Sequence, residues 1–68
     1  MADFFTRLKE LRKGRKLSME QLAEEIGVAH VTISSWEAKK SQPCLDNILA
    51  VAKFFDVSVD YLVGNEEY

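Results

Sequence analysis

Apolar residues recur at helical spacing along most of the chain, and polar residues separate the apolar segments. Phe4, Leu8 and Leu11 lie three or four residues apart, which predicts an amphipathic first helix. Asp3 is suited to cap the start of this helix, and Gly14 is suited to end it in the left-handed conformation. The first segment therefore predicts one helix that stops just before the glycine.

The start of the second segment carries the clearest helix signal in the chain. Ser18 and Gln21 have the spacing of a capping box, in which each side chain accepts a hydrogen bond from the other residue's backbone N–H. Leu17 and Leu22 flank this box as a hydrophobic staple. Gly27 then allows a sharp turn, because glycine adopts positive φ without steric cost. A short helix between these two signals follows.

Three further helices are predicted after this turn. Ile33 and Trp36 mark the buried side of a helix over residues 30–38, and Ser58 begins a short last helix that buries Leu62. No alternation typical of strands is present, so the predicted fold class is all-α with five helices. The fourth helix is expected from residue 45 to 55, with an apolar stripe formed by Leu45, Ile48, Leu49, Ala52 and Phe55.

Composition limits the class of protein. The 68 residues suffice for one domain, expected over residues 1–64, with a flexible tail over residues 65–68. One histidine and one cysteine cannot form a typical metal site, and no glycine-rich phosphate loop is present. No apolar leader or membrane-spanning run is visible, and a single free thiol suits a reducing compartment. We therefore expect a cytoplasmic protein that is not an enzyme and needs no metal or cofactor.

Charge is unevenly distributed, although the formal net charge is only −2. Eight of the nine Lys and Arg residues lie within residues 1–40, whereas residues 41–68 carry Lys53 against five acidic residues. A surface that faces phosphates would therefore have to come from the first half of the chain. Charge alone leaves open whether these basic residues contact nucleic acid or form an ordinary solvated surface.

Residues 19–38 have the spacing of a helix-turn-helix motif. Ala23 is small where two steeply crossed helices approach closely, and Gly27 supplies the turn between them. Ile33 and Trp36 hold the second helix onto the first, which leaves its opposite face to solvent.

A family resemblance rests on segments in register across the chain, namely Arg7–Arg12, Leu17–Ser18, Gln21–Val28, Ile33–Glu37, Pro43 and Val57–Leu62. On these residues the chain resembles the phage repressor/Cro-type, or XRE-like, helix-turn-helix family. The resemblance implies a compact five-helix domain like that of lambda repressor, with the motif in helices 2 and 3. It also implies a sequence-specific regulator of transcription, a repressor by analogy, that binds double-stranded DNA at a pseudo-palindromic operator.

The resemblance implies that helix 3, the recognition helix, lies in the major groove with its first turns against base edges. His30 can donate to guanine, and Val31 can pack on a thymine methyl. The alternative for His30 is an exposed histidine without a ligand. A metal site formed by His30 and Cys44 is disfavoured, because it would lack further ligands. The implied base contacts are Ala29, His30, Val31, Ser34 and Ser35.

Phosphate contacts are expected from helix N-termini and their flanks. Met19 departs from the family, where glutamine usually contacts phosphate through its side chain, so only the backbone N–H is left here. Lys39 replaces the usual glycine. We expect either that its backbone adopts the left-handed conformation or that the loop differs from that of the family. An ordinary solvated loop is the alternative for Lys39 and Lys40. The expected phosphate contacts are Ser18, Met19, Gln21, Thr32, Lys39, Lys40 and Ser41.

The resemblance assigns a structural role to two charged residues. Arg12 and Glu37 are expected to pair across the motif and to tie helix 1 to the end of helix 3, without contacting DNA. If this pair is buried, loss of one partner would cost roughly 3–5 kcal/mol, because the other charge would be left uncompensated.

The recognition helix lacks Arg, Gln and Asn, so strong bidentate base contacts are missing and one monomer should bind DNA weakly. A homodimer on half-sites about 34 Å apart would compensate for this weakness. The candidate interface residues are Phe54, Tyr61 and Val63, and the alternative for them is ordinary core packing or scattered surface exposure. Cys44 stands where a serine-like cap of helix 4 is expected, and a redox switch is the alternative to a passive cap.

Two classes of function stay open. The alternative to a DNA-binding regulator is an antitoxin or adaptor of the same fold that mainly binds a protein partner. The negative net charge and the weak base contacts expected of the recognition helix favour this alternative. Residues 64–68 could also open a linker, so the chain could be the N-terminal domain of a longer repressor. Salt-dependent DNA binding distinguishes the regulator from the adaptor.

Overall fold

The structure is a computed structural model that describes residues 3–64. The predicted all-α class with five helices is confirmed over these residues. The predicted tail, residues 65–68, lies outside them. The helices are α1 (Phe4–Gly14), α2 (Met19–Ile26), α3 (His30–Glu37), α4 (Leu45–Phe55) and α5 (Val59–Val63).

Every helix contributes to one apolar core within dimensions of 28 × 23 × 20 Å. The small buried side chain of Ala23 in α2 allows α3 to pack closely, as the motif spacing predicted. A core of this size in a short chain must be filled from every element. Its largest fully buried side chains are Trp36, Leu8, Leu22, Ile33, Leu62 and Val51.

The predicted starts of α1, α2 and α5 are confirmed by their capping hydrogen bonds. The Asp3 carboxylate accepts from the Thr6 N–H at 2.9 Å, and this bond lowers the pKa of Asp3. The Ser18 hydroxyl accepts from the Gln21 N–H at 3.0 Å, and Gln21 Oε1 accepts from the Ser18 N–H at 2.8 Å. The Ser58 hydroxyl accepts from the N–H of residue 61 at 2.9 Å.

The predicted stop at Gly14 is wrong, because this glycine is the last residue of α1 and is not left-handed. Lys16, with φ 58°, takes the left-handed position instead. The reason is Arg12, which holds both backbone groups of Leu17. The Arg12 carbonyl accepts from the Leu17 N–H at 3.1 Å, and Arg12 Nη1 donates to the Leu17 carbonyl at 2.8 Å.

Left-handed residues also follow α2, α3 and α4. Gly27 has φ 78°, as its place in the motif predicted. Lys39 has φ 60°, so the left-handed alternative for this lysine is correct, and Asp56 has φ 56°. In each case the next N–H bonds back to a helix carbonyl, which closes the helix end. Two of these three positions are therefore strained, since glycine alone adopts this conformation without cost.

The predicted apolar stripe of α4 is wrong at two positions. Leu45 is 65% exposed and Leu49 is 48% exposed, whereas Val51 is fully buried. Apolar residues occupy most of this helix, so spacing alone does not identify its inner side. Packing against α2 and α5 selects the side centred on Val51, Ala52 and Phe55.

Candidate nucleic-acid interface

Helix α3, the expected recognition helix, is held in place by its buried side. Ile33 and Trp36 are buried, and the Trp36 ring packs edge-on against Phe4 at 5.7 Å between ring centroids. The opposite side therefore faces solvent, and Val31 is 70% exposed there. Of the predicted base contacts, the exposed ones are Ala29, His30, Val31 and Ser34.

Ser35 differs from the other predicted base contacts. Its side chain is half-buried, and its hydroxyl lies 2.8 Å from the hydroxyl of Ser41. The structure thus joins a predicted base contact to a predicted phosphate contact, a pairing that the sequence pattern does not reveal.

The residues predicted to contact phosphate lie at two places. At the start of α2, Ser18 and Gln21 use one oxygen each in the capping box, so the hydroxyl hydrogen and the amide NH2 stay available as donors. Met19 packs partly against the core, and the first helical amides have no intrahelical carbonyl to bond. Thr32, in the first turn of α3, is half-buried, and its N–H donates to the Ala29 carbonyl at 3.0 Å.

The second place is the segment from Lys39 to Ser41, here called the basic loop, which leaves the end of α3. The Lys39 N–H donates to the Trp36 carbonyl and the Lys40 N–H to the Ser35 carbonyl, both at 2.9 Å. Lys39 Nζ lies 3.5 Å from Asp3 Oδ2, so this lysine is engaged with the start of α1. Lys40 is exposed and is the more available cation of the two.

Arg12 and Glu37 form a buried ion pair. Arg12 Nε donates to Glu37 Oε2 at 2.6 Å, and Arg12 Nη2 donates to Glu37 Oε1 at 2.9 Å. The bond to Glu37 raises the pKa of the guanidinium, which therefore stays charged although it is buried. The pair ties α1 to the last residue of α3.

Comparison with known proteins identifies the family. A family model described as "Helix-turn-helix" matches residues 8–62, which include the whole motif and most of α1, α4 and α5. The chain belongs to the helix-turn-helix family. The resemblance to phage repressors that the sequence indicated is confirmed by this match and by the relatives below.

Three relatives of this helix-turn-helix chain show how far the likeness extends. It is 50% identical over 58 residues to the uncharacterized HTH-type transcriptional regulator YobD of Bacillus subtilis, covering 85% of this chain and 52% of that protein. It is 40% identical to the HTH-type transcriptional activator BcrR of Enterococcus faecalis, covering 96% of this chain and 32% of that protein. The chain thus spans about half of the first relative and a third of the second.

The third relative is a solved structure, the P22 c2 repressor protein in complex with a synthetic operator in the presence of Tl+. Its TM-score against this chain is 0.88 at 32% identity, and the match covers 97% of this chain and 100% of that one. The helix-turn-helix fold therefore extends over all five helices and not only over the two of the motif.

The candidate dimer residues of the helix-turn-helix domain are partly covered by its own arginines. The Arg7 guanidinium lies 4.0 Å from the centre of the Tyr61 ring, and its buried Nε has no hydrogen-bond partner among the described residues. The Arg15 guanidinium lies 5.1 Å from the Phe54 ring, and its Nη1 donates to the Phe54 carbonyl at 3.2 Å. Val63 is 41% exposed. Sequence spacing did not indicate these arginine contacts, because they join helices that are distant in the chain.

Cys44 occupies the N-cap position of α4, but its side chain makes no capping hydrogen bond, so the predicted passive cap is wrong. Sulfur is a weak acceptor, which explains why the thiol does not replace a serine hydroxyl. No group of three or more His, Cys, Asp and Glu in the described part of the chain could hold a metal ion. Within residues 3–64, the helices also lack the length and apolar character needed to cross a bilayer.

Proposed function

We propose that this chain is a sequence-specific regulator of transcription, a repressor, that binds double-stranded DNA with α3 in the major groove. The observation that carries the proposal is a strip of exposed residues on α3, here called the exposed strip, while the opposite side of the helix is buried in the core. The exposed strip consists of His30, Val31 and Ser34, with Ala29 directly before the helix. A rigidly held helix with an accessible first turn is the element that enters the groove in helix-turn-helix proteins. The proposal involves no catalytic step and no cofactor.

The relatives support this function. The P22 c2 repressor, whose structure matches 97% of this chain, was solved with an operator. YobD is named as a transcriptional regulator and BcrR as a transcriptional activator. The P22 protein is a repressor, whereas BcrR is an activator. We assign a repressor because the match to the P22 protein extends over all five helices of this chain. A cytoplasmic location belongs to the same proposal, since an exposed unpaired thiol suits a reducing compartment.

Base contacts in this proposal come from the exposed strip. Val31 would pack against a thymine methyl, because a side chain that is 70% exposed on the first turn gains by burying its apolar surface. His30 would donate to guanine N7 or O6, and Ser34 would hydrogen-bond one turn further along. Ala29 precedes the helix and would keep the backbone close to the base edges.

Phosphate contacts in this proposal come from both flanks of the strip. Lys40 supplies the available charge on the basic loop, and Ser41 supplies a hydroxyl beside it. The backbone of Met19 and the side chains of Ser18 and Gln21 supply donors at the start of α2. Thr32 and Lys39 contribute less, because one is half-buried and the other is paired with an aspartate.

A homodimer completes the proposal, because an α3 without Arg, Gln or Asn provides weak base contacts per monomer. Two copies on a pseudo-palindromic operator would place two recognition helices about 34 Å apart along the DNA. Val63 is the most accessible of the three candidate interface residues, whereas Phe54 and Tyr61 would contribute the edges that Arg15 and Arg7 leave uncovered.

The test is selection of bound sites from a random duplex library, followed by titration of the best site at two salt concentrations. We expect a pseudo-palindromic site whose affinity falls steeply with salt. His30→Ala should relax base preference at one position, whereas Lys40→Ala should weaken all sites equally and reduce the salt slope by about 1. Lys53→Ala, on α4 and also exposed, is the matched control for Lys40→Ala and should leave both quantities unchanged.

Enrichment of no sequence, with weak binding even at low salt, would contradict the DNA-binding proposal. In that case the antitoxin or adaptor hypothesis gains, and it predicts a stable complex with a protein partner that the same His30 and Lys40 variants leave intact.

A further inference from the structure

The hydroxyl pair of Ser35 and Ser41 is a contact between two functionally different parts of the interface. Ser35 lies on the recognition helix and Ser41 closes the basic loop, and their oxygens are 2.8 Å apart. Their positions in the chain differ by six residues, so the bond spans the whole turn that leaves α3.

The other attachments of the basic loop lie at its beginning. Its first two N–H groups donate to carbonyls of α3, and the exposed Lys39 side chain lies 3.5 Å from the Asp3 carboxylate. Lys39 is also left-handed at φ 60°, a conformation that is unfavourable for a residue with a Cβ. The hydroxyl bond is thus the side-chain contact that holds the far end of the loop against α3.

We propose that Ser35 is a positioning residue for phosphate contact and not a base contact. This inference rests on the proposed DNA-binding function and revises one of its expected base contacts. Ser35 is half-buried and already bonded, whereas its neighbour Ser34 is exposed on the strip that faces outward. Ser35 acts on DNA through Ser41, by holding the Lys40–Ser41 end of the loop where a backbone phosphate can be reached.

The hydrogen-bonding capacity of the two hydroxyls permits this role. Each hydroxyl has one hydrogen to donate and two lone pairs to accept. When Ser35 donates to Ser41, the hydrogen of Ser41 remains available to donate to a phosphate oxygen. Bonded hydroxyls polarise each other, which strengthens that outward bond.

The test compares Ser35→Ala with Ser34→Ala, its matched control on the same helix. We expect Ser35→Ala to weaken the best site and its single-base variants by the same factor, roughly 2- to 10-fold, as for loss of one hydrogen bond. Ser34→Ala should instead change the preference at one base position. Ser41→Ala should weaken all sites at least as much as Ser35→Ala, and the double variant should lose no more than Ser41→Ala alone, because both remove the same contact.

Ser41→Thr retains the hydroxyl at an exposed position and should keep affinity within about 2-fold of the unmodified protein, since the bond is preserved. A second readout needs no DNA. Backbone amide resonances of residues 40 and 41 should shift and exchange faster in Ser35→Ala than in Ser34→Ala, because the loop loses its far attachment.

Three outcomes overturn the inference: a changed base preference in Ser35→Ala, additive losses in the double variant, or unaltered loop resonances. Failure of the proposed function looks different. The unmodified protein then shows no sequence preference and no salt-dependent binding, while the amide measurements still decide whether Ser35 holds the loop.

Discussion

At the scale of single residues, Arg12 shows how a buried charge is made compatible with an apolar core. Its guanidinium donates twice to Glu37 and once to the Leu17 carbonyl, so each of its three nitrogen atoms has an acceptor. Burial of a charge without such partners is very costly. The same residue holds the turn between α1 and α2 and contacts the last residue of α3.

The first prediction concerns this ion pair. Glu37→Ala should lower the free energy of unfolding by roughly 3–5 kcal/mol, because the buried guanidinium loses its counter-charge. The double variant Arg12→Met/Glu37→Met should lose less, since no charge is then left uncompensated. Urea denaturation of both variants measures the difference. Equal losses in the two would show that contacts other than the ion pair set the stability here.

The second prediction concerns the left-handed lysine. Lys39→Gly removes a strain of about 1–2 kcal/mol but gives the unfolded chain more freedom, which costs about 0.4–1 kcal/mol. The net result should be a gain of up to about 1.6 kcal/mol. Each kcal/mol raises Tm by roughly 4–8 °C in a domain of this size. The exposed contact with Asp3 should contribute little to the balance.

Lys40→Gly is the control for this substitution, because the next lysine is not left-handed and should lose stability instead of gaining it. Thermal unfolding followed by circular dichroism gives both values. A loss of stability in Lys39→Gly equal to that in Lys40→Gly would mean that the left-handed lysine carries no strain.

At the scale of helices, α4 shows that an apolar sequence does not by itself define an inner side. Leu45 and Leu49 lie four residues apart as an inner stripe should, yet both are exposed. The buried positions are fixed by the neighbouring helices α2 and α5. Helices α1, α2 and α5 were easier to predict at their starts, because capping depends on residues next to one another in the chain.

The third prediction follows from the orientation of α4. Leu49→Ala should change the free energy of unfolding by under about 1 kcal/mol, because the side chain is 48% exposed. Leu62→Ala is the same chemical change at a fully buried position of α5 and should cost about 2–5 kcal/mol. Urea denaturation compares the two. A large loss for Leu49→Ala would mean that α4 is rotated relative to the orientation described here.

At the scale of the whole molecule, the domain combines a basic first half with an acidic second half. Eight of nine Lys and Arg residues precede position 41, and this half carries α1, the motif and most of the basic loop. In the proposed function the basic residues of this half approach DNA, since local potential and not net charge decides where phosphate approaches.

The fourth prediction concerns assembly. If Val63 lies in the proposed dimer interface, Val63→Asp should raise the dimer dissociation constant on the order of ten-fold or more, because a carboxylate would be buried between the copies. Val31→Asp makes the same change on the exposed strip of α3 and should leave association unchanged. Sedimentation velocity over a concentration series measures both. A protein that stays monomeric throughout the series would contradict the homodimer.

The pattern of residues along the chain was sufficient to predict features that depend on residues close together in the sequence. It determined the all-α class, the approximate bounds of the helices, the capping box at Ser18, the turn at Gly27 and, through family resemblance, the pairing of Arg12 with Glu37. These features follow from spacing within one or two helical turns or from segments in register with known relatives.

Only the tertiary structure decided features that depend on which groups meet in space, whether they lie far apart in the chain or on either side of one turn. The orientation of α4, the displacement of the left-handed stop from Gly14 to Lys16, and the bond between Ser35 and Ser41 belong to this group. The physical reason is the same in each case. Several local arrangements are nearly equal in free energy, and burial or a side-chain hydrogen bond that residue spacing does not reveal selects one of them.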